Sequence, residues 1–141
     1  MPEETVPKKP IPAGDDLSRH FWEAASEDRL EIQRCQNCRR YHQPPVGICP
    51  FCHSVDLRYE AVSGLGTIYT YTVTHDARTP AFAAVQPYAV VWVELDEQPR
   101  LRLISNMPGT PLDKVQIGSR VEVFFEEIEP GHKLPEFRLV D

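Results

Sequence analysis

Two pairs of cysteines constrain this fold more than any other feature: Cys35 with Cys38, and Cys49 with Cys52. The chain has no further cysteine, and the spacing C-x2-C-x10-C-x2-C can bring four thiolates around one tetrahedral metal ion. The interval between the pairs is long enough for a strand, a turn and a return, which predicts a zinc ribbon. Four thiolates close the coordination shell, so the motif predicts structural zinc rather than catalysis.

Disulfides and an iron site are the alternatives to zinc at these cysteines. Disulfides need an oxidising compartment, and the Pro-rich start has no apolar segment typical of a secretory signal. Iron in a rubredoxin-like site is the main metal alternative, because the same thiolates accept it. His42 and His53 lie beside the cysteine pairs, and with four thiolates available we interpret both as bystanders.

Composition narrows the class of protein. The chain has 141 residues, enough for one ordinary domain or two small ones, and a net charge of −6. Binding to nucleic acid or to anionic lipid needs a basic face, which an acidic chain does not favour. No apolar run has the length of a membrane span. We therefore expect a soluble, cytoplasmic protein without nucleic-acid or membrane partners.

The sequence divides into three parts. Residues 1–16 are rich in proline and predict a disordered tail or a linker. Residues 17–60 predict a short helix and the zinc ribbon. From residue 61 to 141 the hydrophobic period changes to two, which predicts β-strands.

The predicted helix covers residues 17–25, where apolar side chains recur at helical spacing, with Asp15 or Asp16 as its N-cap. It carries two large aromatic residues, Phe21 and Trp22. These rings either pack on the chain's own body or anchor the helix in a partner.

Five stretches rich in β-branched or aromatic residues predict the strands of the last part. They cover residues 67–75, 88–95, 100–104, 120–128 and 134–140. Five strands without a predicted helix among them favour a small barrel, and the five-stranded OB-fold matches the strand count. The predicted class is mainly β: a short N-terminal helix, a zinc ribbon and an OB-fold barrel.

No catalytic set is recognisable, and we predict no catalytic residue. No cysteine is left as a nucleophile, and neither a G-x-S-x-G motif nor a Gly-rich phosphate loop occurs. Glu122, Glu126 and Glu127 alternate with apolar residues and are interpreted as a solvated face. The chain is therefore not expected to catalyse a reaction alone.

Two features could form a ligand or partner surface. The loop at residues 75–87 is unusually apolar; it includes Arg78, and Phe82 is its one large side chain. Such a loop could line a groove or meet a partner, or Phe82 could fold back over the barrel end. Arg34, Arg39 and Arg40 form a local basic patch that either faces ligand phosphates or offsets the charge of the zinc thiolates.

The order of these parts resembles a small family, long catalogued as a domain of unknown function, that accompanies thiolase-like enzymes of acyl-CoA metabolism. The matching stretches run from residue 17 to the end and include Phe21-Trp22, residues 30–35, Pro44-Pro45, residues 49–52, 66–71, Pro87-Tyr88, 93–96, 118–123 and 135–137. The chain departs from the family pattern after each cysteine pair, where Arg39 and His53 replace glycine. Those turns are therefore expected to need φ values that non-glycine residues tolerate poorly.

The resemblance implies a partner and a shared ligand. Family members act with a thiolase-fold protein that carries the catalytic residues, and the OB-fold can offer a route for the pantetheine arm of a coenzyme A thioester. In one branch the complex is a retro-aldolase that cleaves a steroid side-chain hydroxyacyl-CoA, and a hydratase-like subunit can be attached. In others the partner is an acetyl-CoA acyltransferase or related thiolase. The sequence does not select the branch.

Two further functions remain as alternatives. Zinc ribbons and OB-folds also bind single-stranded nucleic acid, and Tyr69, Tyr71 and Trp92 could stack bases. However, residues 61–141 contain seven Lys or Arg and eleven Asp or Glu, and we interpret the three aromatics as barrel core. Rubredoxin-like electron transfer would require iron in the cysteine site.

Overall fold

The computed structural model describes residues 7–140, which form an N-terminal helix, a three-stranded ribbon and a five-stranded sheet. The elements in chain order are α1 (Arg19–Ser26), β1 (Glu31–Cys35), β2 (Tyr41–His42), β3 (Leu57–Ala61), β4 (Leu65–Thr74), α2 (Pro80–Ala83), β5 (Tyr88–Leu95), β6 (Arg102–Asn106), a 3-10 turn (Leu112–Lys114), β7 (Arg120–Glu129) and β8 (His132–Leu139). The mainly β class predicted from the sequence is confirmed.

Helix α1 begins slightly later than predicted. Ser18 is the N-cap, so the prediction of an aspartate at that position was wrong. Asp15 instead orders the turn before the helix: its carboxylate accepts the Ser18 amide at 2.8 Å and the Ser18 hydroxyl at 2.8 Å. The helix buries Phe21, Ala24 and Ala25 and packs against β8 and β1.

The ribbon is an antiparallel sheet of order β2-β1-β3. In its central strand, Gln33 is aligned with His42 on one side and Tyr59 on the other. Three residues, 62–64, connect β3 to β4. Both ends of this connection are fixed by backbone hydrogen bonds, from the Val62 amide to the Leu30 carbonyl at 3.0 Å and from the Val123 amide to the Gly64 carbonyl at 2.9 Å.

The larger sheet is antiparallel, with strand order β6-β5-β4-β7-β8. Its two edge strands, β6 and β8, approach each other without strand pairing among the described residues. A single side-chain bond crosses this seam, from the Ser105 hydroxyl to the Pro135 carbonyl at 2.6 Å. The five strands therefore curl into a partly open barrel, as the OB-fold prediction required.

One hydrophobic core serves the helix, the ribbon and the barrel. Its buried members include Phe21 of α1 and Ile32 of β1. Most come from the barrel: Ile68, Ala89, Val91, Val93, Leu95, Leu101, Leu103, Met107, Val115, Val121 and Phe137. Because the ribbon contributes to the same core, its orientation on the barrel is set by packing.

Gly66 allows two barrel strands to approach closely. A Cβ atom at this position would lie 2.6 Å from the Glu94 carbonyl oxygen of β5, so no other residue fits without moving the strand. Helix α2 lies inside the apolar loop and was not predicted from the sequence. Its start agrees with local chemistry, because Pro80 occupies the first turn, where a missing amide costs nothing.

The interpretation of Tyr69, Tyr71 and Trp92 as barrel core was wrong. Their exposed fractions are 46%, 38% and 39%. The ladder between β4 and β5 is irregular between Ile68 and Thr70, which leaves Tyr69 without a paired residue in β5. Its ring lies edge-on to Trp92, with centroids 6.2 Å apart, and Arg102 stacks over it at 3.6 Å.

The segment expected to be a disordered tail lies partly outside the described residues. Residues 7–14 have no regular secondary structure, yet they follow the barrel surface. Lys8 pairs with Glu129 at 3.7 Å, and Lys9 pairs with Glu126 at 2.7 Å. In the described part, this segment therefore contacts β7 through two lysines.

Candidate metal centre and barrel surface

The four cysteines converge as predicted. Their sulfur atoms all lie within 4.8 Å of one another, and they are Cys35, Cys38, Cys49 and Cys52. The Sγ atoms of Cys35 and Cys52 are 3.5 Å apart, and those of Cys38 and Cys49 are 3.6 Å apart. Cys35 and Cys49 are buried, and the other two are half-buried. The donor set fits one tetrahedral zinc ion.

Two tight turns present the sulfur atoms. The Arg39 amide donates to the Cys35 carbonyl at 3.0 Å, and the His53 amide donates to the Cys49 carbonyl at 2.9 Å. Arg39 has φ 67° and His53 has φ 62°, both in the left-handed region. The expectation that these turns need φ values that non-glycine residues tolerate poorly is confirmed.

Amide groups of the turns set the thiol chemistry. The backbone amide of Cys38 lowers the pKa of Cys35. The Asn37 side chain, followed by the Ser54 amide, lowers the pKa of Cys52 to about 6. The Arg40 amide lowers the pKa of Cys38. Burial and the neighbouring sulfurs have the larger combined effect and raise this pKa to about 11. A bound dication would stabilise all four thiolates and remove this difference.

The two histidines next to the cysteine pairs are outside the ligand cluster of the described residues. His53 is exposed. His42 is buried and stacks on Phe51 with ring centroids 6.0 Å apart. Burial, and then the charge of Arg40, lowers the pKa of His42, so this ring stays neutral near pH 7.

The predicted basic patch is largely neutralised. Arg34 and Arg39 both pair with Glu60, at 3.7 Å and 3.1 Å. Arg34 also stacks over Tyr41 at 4.4 Å, and Arg40 stacks over Phe51 at 4.0 Å. These contacts favour a role in supporting the ribbon. Arg40 alone of the three has no ion pair among the described residues.

The two aromatic residues of α1 have different environments. Phe21 is 6% exposed and belongs to the core, so in this conformation it cannot anchor a partner. Trp22 is half-buried and lies edge-on to Phe21, with ring centroids 4.9 Å apart. It lines a cavity of about 320 Å³ at the seam between β6 and β8. Of the pair, Trp22 offers the accessible surface.

The loop before β5 forms one wall of a cavity of about 540 Å³. Phe82 of α2 is half-buried, lies 5.4 Å from the Tyr88 ring and lines both this cavity and the one at the seam. Arg78, in the same loop, is exposed and has no ion pair in residues 7–140. Of these two predicted surface residues, Phe82 lines the cavity and Arg78 lies in the loop that precedes α2.

A buried ionic cluster was missed by the sequence analysis. Glu136 of β8 is 1% exposed, and neither carboxyl oxygen has a hydrogen-bond partner in the described chain. Glu126 of β7 and Lys9 lie beside it. Glu126, expected on a solvated face, is half-buried and pairs with Lys9. Nothing in the local sequence identifies Glu136 as buried, because the seam between β6 and β8 depends on tertiary packing.

The fold and the metal centre together define a zinc ribbon joined to an OB-fold. Two family profiles match the same division: the ChsH2 rubredoxin-like zinc ribbon domain over residues 22–58, and the ChsH2 C-terminal OB-fold domain over residues 59–126. The chain belongs to this ChsH2-type DUF35 family, which confirms the resemblance recognised in the sequence.

Individual relatives agree with this assignment. A chain of the solved structure entitled Ltp2-ChsH2(DUF35) aldolase is 39% identical, with a TM-score of 0.83, and the match covers 91% of this chain and 98% of that one. A DUF35 domain-containing scaffold protein of Methanocaldococcus jannaschii is 33% identical over 68% of this chain and 67% of its own length.

A longer relative also matches. A probable enoyl-CoA hydratase alpha subunit of Thermomonospora curvata is 39% identical over 137 residues, which is 96% of this chain. The present chain spans about two fifths of that protein, since the match covers 42% of it. In the part of the chain that the structure describes, no helix is long and apolar enough to cross a membrane.

Proposed function

We propose that this chain is a non-catalytic, zinc-containing accessory subunit of a thiolase-fold enzyme that acts on acyl-CoA. The observation that carries this proposal is the likeness to one chain of the Ltp2-ChsH2(DUF35) aldolase along nearly the whole length of both. The metal centre supports an accessory role, because four thiolates leave no coordination position for a substrate. The catalytic residues would then belong to the partner.

Cleavage of a hydroxyacyl-CoA by a retro-aldol reaction is the favoured activity of the complex, and a steroid side chain is the favoured acyl group. The aldolase named in the matching structure supports this branch over an acetyl-CoA acyltransferase. The coenzyme A thioester would be a ligand shared by both subunits. The cavity beside Phe82, with about 540 Å³ and mostly apolar walls, has the size and lining for a narrow ligand arm.

Three residues are the proposed contacts on this chain: Trp22, Arg78 and Phe82. Phe82 and Trp22 present aromatic surface at neighbouring cavities, and aromatic residues are common anchors at interfaces. Arg78 is exposed in the loop that precedes α2, and its guanidinium could bind a phosphate of coenzyme A. Arg40 is a weaker candidate for phosphate binding, because its side chain already stacks on Phe51.

The test is co-expression with a thiolase-like protein encoded in the same genome, with a tag on only one chain. We expect the two to co-purify, with zinc bound, and to cleave a hydroxyacyl-CoA that neither cleaves alone. Arg78→Gln should raise the KM for the thioester. Arg58→Gln is the matched control, because Arg58 is also exposed but lies on the ribbon. A chain that stays monomeric with every thiolase-like protein and leaves its activity unchanged would refute the proposal.

A second candidate is a connection to a hydratase. It is favoured by the match to an enoyl-CoA hydratase alpha subunit that is more than twice as long as the aligned segment. In this role the chain would hold a hydratase and an aldolase together, consistent with the scaffold name of the archaeal relative. Recovery of a hydratase-like protein in the same complex, dependent on this chain, would distinguish this function from binding to the thiolase-like protein alone.

A further inference from the structure

Residues 7–14 cross the barrel close to its open seam and are held there by a lysine. The Lys9 side chain is 14% exposed, with its Nζ 2.7 Å from a Glu126 oxygen and 3.6 Å from a Glu136 oxygen. The preceding residue, Lys8, has a different environment. Its side chain is 67% exposed and pairs with Glu129 at 3.7 Å. Burying a lysine is costly unless it is paired, so Lys9 is the anchor of this segment.

The carboxyl groups around Lys9 depend on it. Glu136 has no hydrogen-bond partner among residues 7–140, and Lys9 is the one cation within 4 Å of it there. Glu126 belongs to β7 and Glu136 to β8, so Lys9 joins this segment to two barrel strands at once. Without its ammonium group, the buried Glu136 carboxyl and the Glu126 carboxylate would face each other with no cation within 4 Å among the described residues.

The same lysine contacts the wall of the large cavity. Its Nζ lies 5.7 Å from the centre of the Phe82 ring, within the range of a cation–π contact. Pro7, Lys8 and Lys9 line one side of the cavity of about 540 Å³, and Phe82 with Tyr88 lines another. Lys9 thus connects this segment to α2 as well as to the barrel.

We propose that residues 7–14 form a strap that closes this cavity, and that Lys9, held between Glu126 and Glu136, is its latch. When the latch is engaged, the strap and α2 wall the cavity. When it is released, the strap leaves the barrel and Phe82 loses its cationic neighbour. Lys9 is therefore a positioning residue for Phe82. The strap acts within this chain alone, so its failure would leave the accessory-subunit proposal intact.

The experiment compares Lys9→Gln with Lys8→Gln, which removes the same charge from the exposed neighbour. Hydrogen exchange measured by mass spectrometry reports on α2, whose backbone amides are hydrogen-bonded, and the fluorescence of an anilinonaphthalene sulfonate dye reports on access to the cavity. We expect Lys9→Gln to speed exchange in α2 by roughly tenfold, as for loss of one charged hydrogen bond, and to increase dye binding. Lys8→Gln should resemble wild type in both measurements.

Glu126→Gln and the double variant complete the test. If Lys9 acts through Glu126, Glu126→Gln reproduces the Lys9→Gln result and the double variant adds little to either. Circular dichroism checks that each variant is folded. Equal effects of Lys8→Gln and Lys9→Gln, additive effects of Lys9→Gln and Glu126→Gln, or unchanged exchange and dye binding in Lys9→Gln would each overturn the proposal.

Discussion

Gln98 in the turn after β5 exchanges two hydrogen bonds with the backbone of Tyr41 in the ribbon. The Tyr41 amide donates to Gln98 Oε1 at 2.9 Å, and Gln98 Nε2 donates to the Tyr41 carbonyl at 3.2 Å. The amide side chain thus takes the place of a neighbouring strand beside β2. This is a specific link between the zinc ribbon and the barrel, in addition to their shared core.

Gln98→Ala should loosen that link without affecting the metal. Loss of two hydrogen bonds is expected to lower the free energy of unfolding by about 1–3 kcal/mol and to speed exchange of the Tyr41 amide. Thermal unfolding and amide exchange measure these effects, with zinc content as a check. Gln116→Ala removes an exposed glutamine in the loop before β7 and should be nearly neutral. Equal stability of the two variants would contradict the proposed role of Gln98.

Cys49→Ser should unfold the ribbon. Cys49 is fully buried among the other thiols, and metal binding can supply on the order of 10 kcal/mol to the folding of such a domain. We expect loss of bound zinc, measured by elemental analysis, and loss of exchange protection in β1 to β3. His53→Ala should retain the zinc. A visibly red protein containing iron would show that the metal assignment is wrong.

His53→Gly should stabilise the protein. His53 has φ 62°, which costs a non-glycine residue about 1–2 kcal/mol, part of which glycine recovers. We expect a gain of up to about 1 kcal/mol in thermal or denaturant unfolding of the zinc-loaded protein. Arg39→Gly should give a smaller gain in stability, because this substitution also removes the ion pair with Glu60. Arg58→Gly, in strand β3, is the control and should lower the stability. If His53→Gly also lowered the stability, strain at His53 would be excluded.

Glu136 should make stability depend on pH. Burial, followed by the neighbouring Glu126, raises the pKa of Glu136 to about 8 from an ordinary value of 4.5. The folded state therefore holds this proton more tightly than the unfolded chain. The contribution of Glu136 to the free energy of unfolding is fully present below about pH 4.5 and is lost as the pH rises through about 8.

Glu136→Gln keeps a neutral side chain of similar shape at every pH. The variant should be more stable than wild type by a few kcal/mol at about pH 9, and its stability should change less between pH 5 and pH 8. Denaturant unfolding across this range measures both effects. Glu127→Gln, at an exposed position of β7, is the control. Parallel pH profiles for wild type and Glu136→Gln would rule out a buried neutral carboxyl.

Phe21→Ala and Trp22→Ala should separate packing from partner binding. Phe21 is in the core, so its truncation should lower the free energy of unfolding by about 3–5 kcal/mol. Trp22 is half-buried, so its truncation should cost less stability but weaken binding to the proposed thiolase-fold partner. Chemical unfolding and co-purification measure the two effects. An equal stability loss in both variants, with binding unaffected, would remove Trp22 from the proposed interface.

The sequence predicted local features of this fold well and tertiary features poorly. Cysteine spacing identified the metal cluster, and alternation located the barrel strands, because both signals lie in short stretches of chain. Phe21 could not be assigned to core or surface, since its burial depends on β8, more than a hundred residues away. The Lys9–Glu136 pair was missed for the same reason, and the choice of which face of β4 is buried also depends on tertiary packing.

The three-residue connection between ribbon and barrel affects the thermodynamics of association. Both of its ends are fixed by backbone hydrogen bonds, so the ribbon has no hinge on which to swing. A protein with two loosely joined parts loses orientational entropy when a partner fixes both at once. Here that loss has already occurred during folding, and a partner that contacts helix and barrel together would meet a preorganised surface.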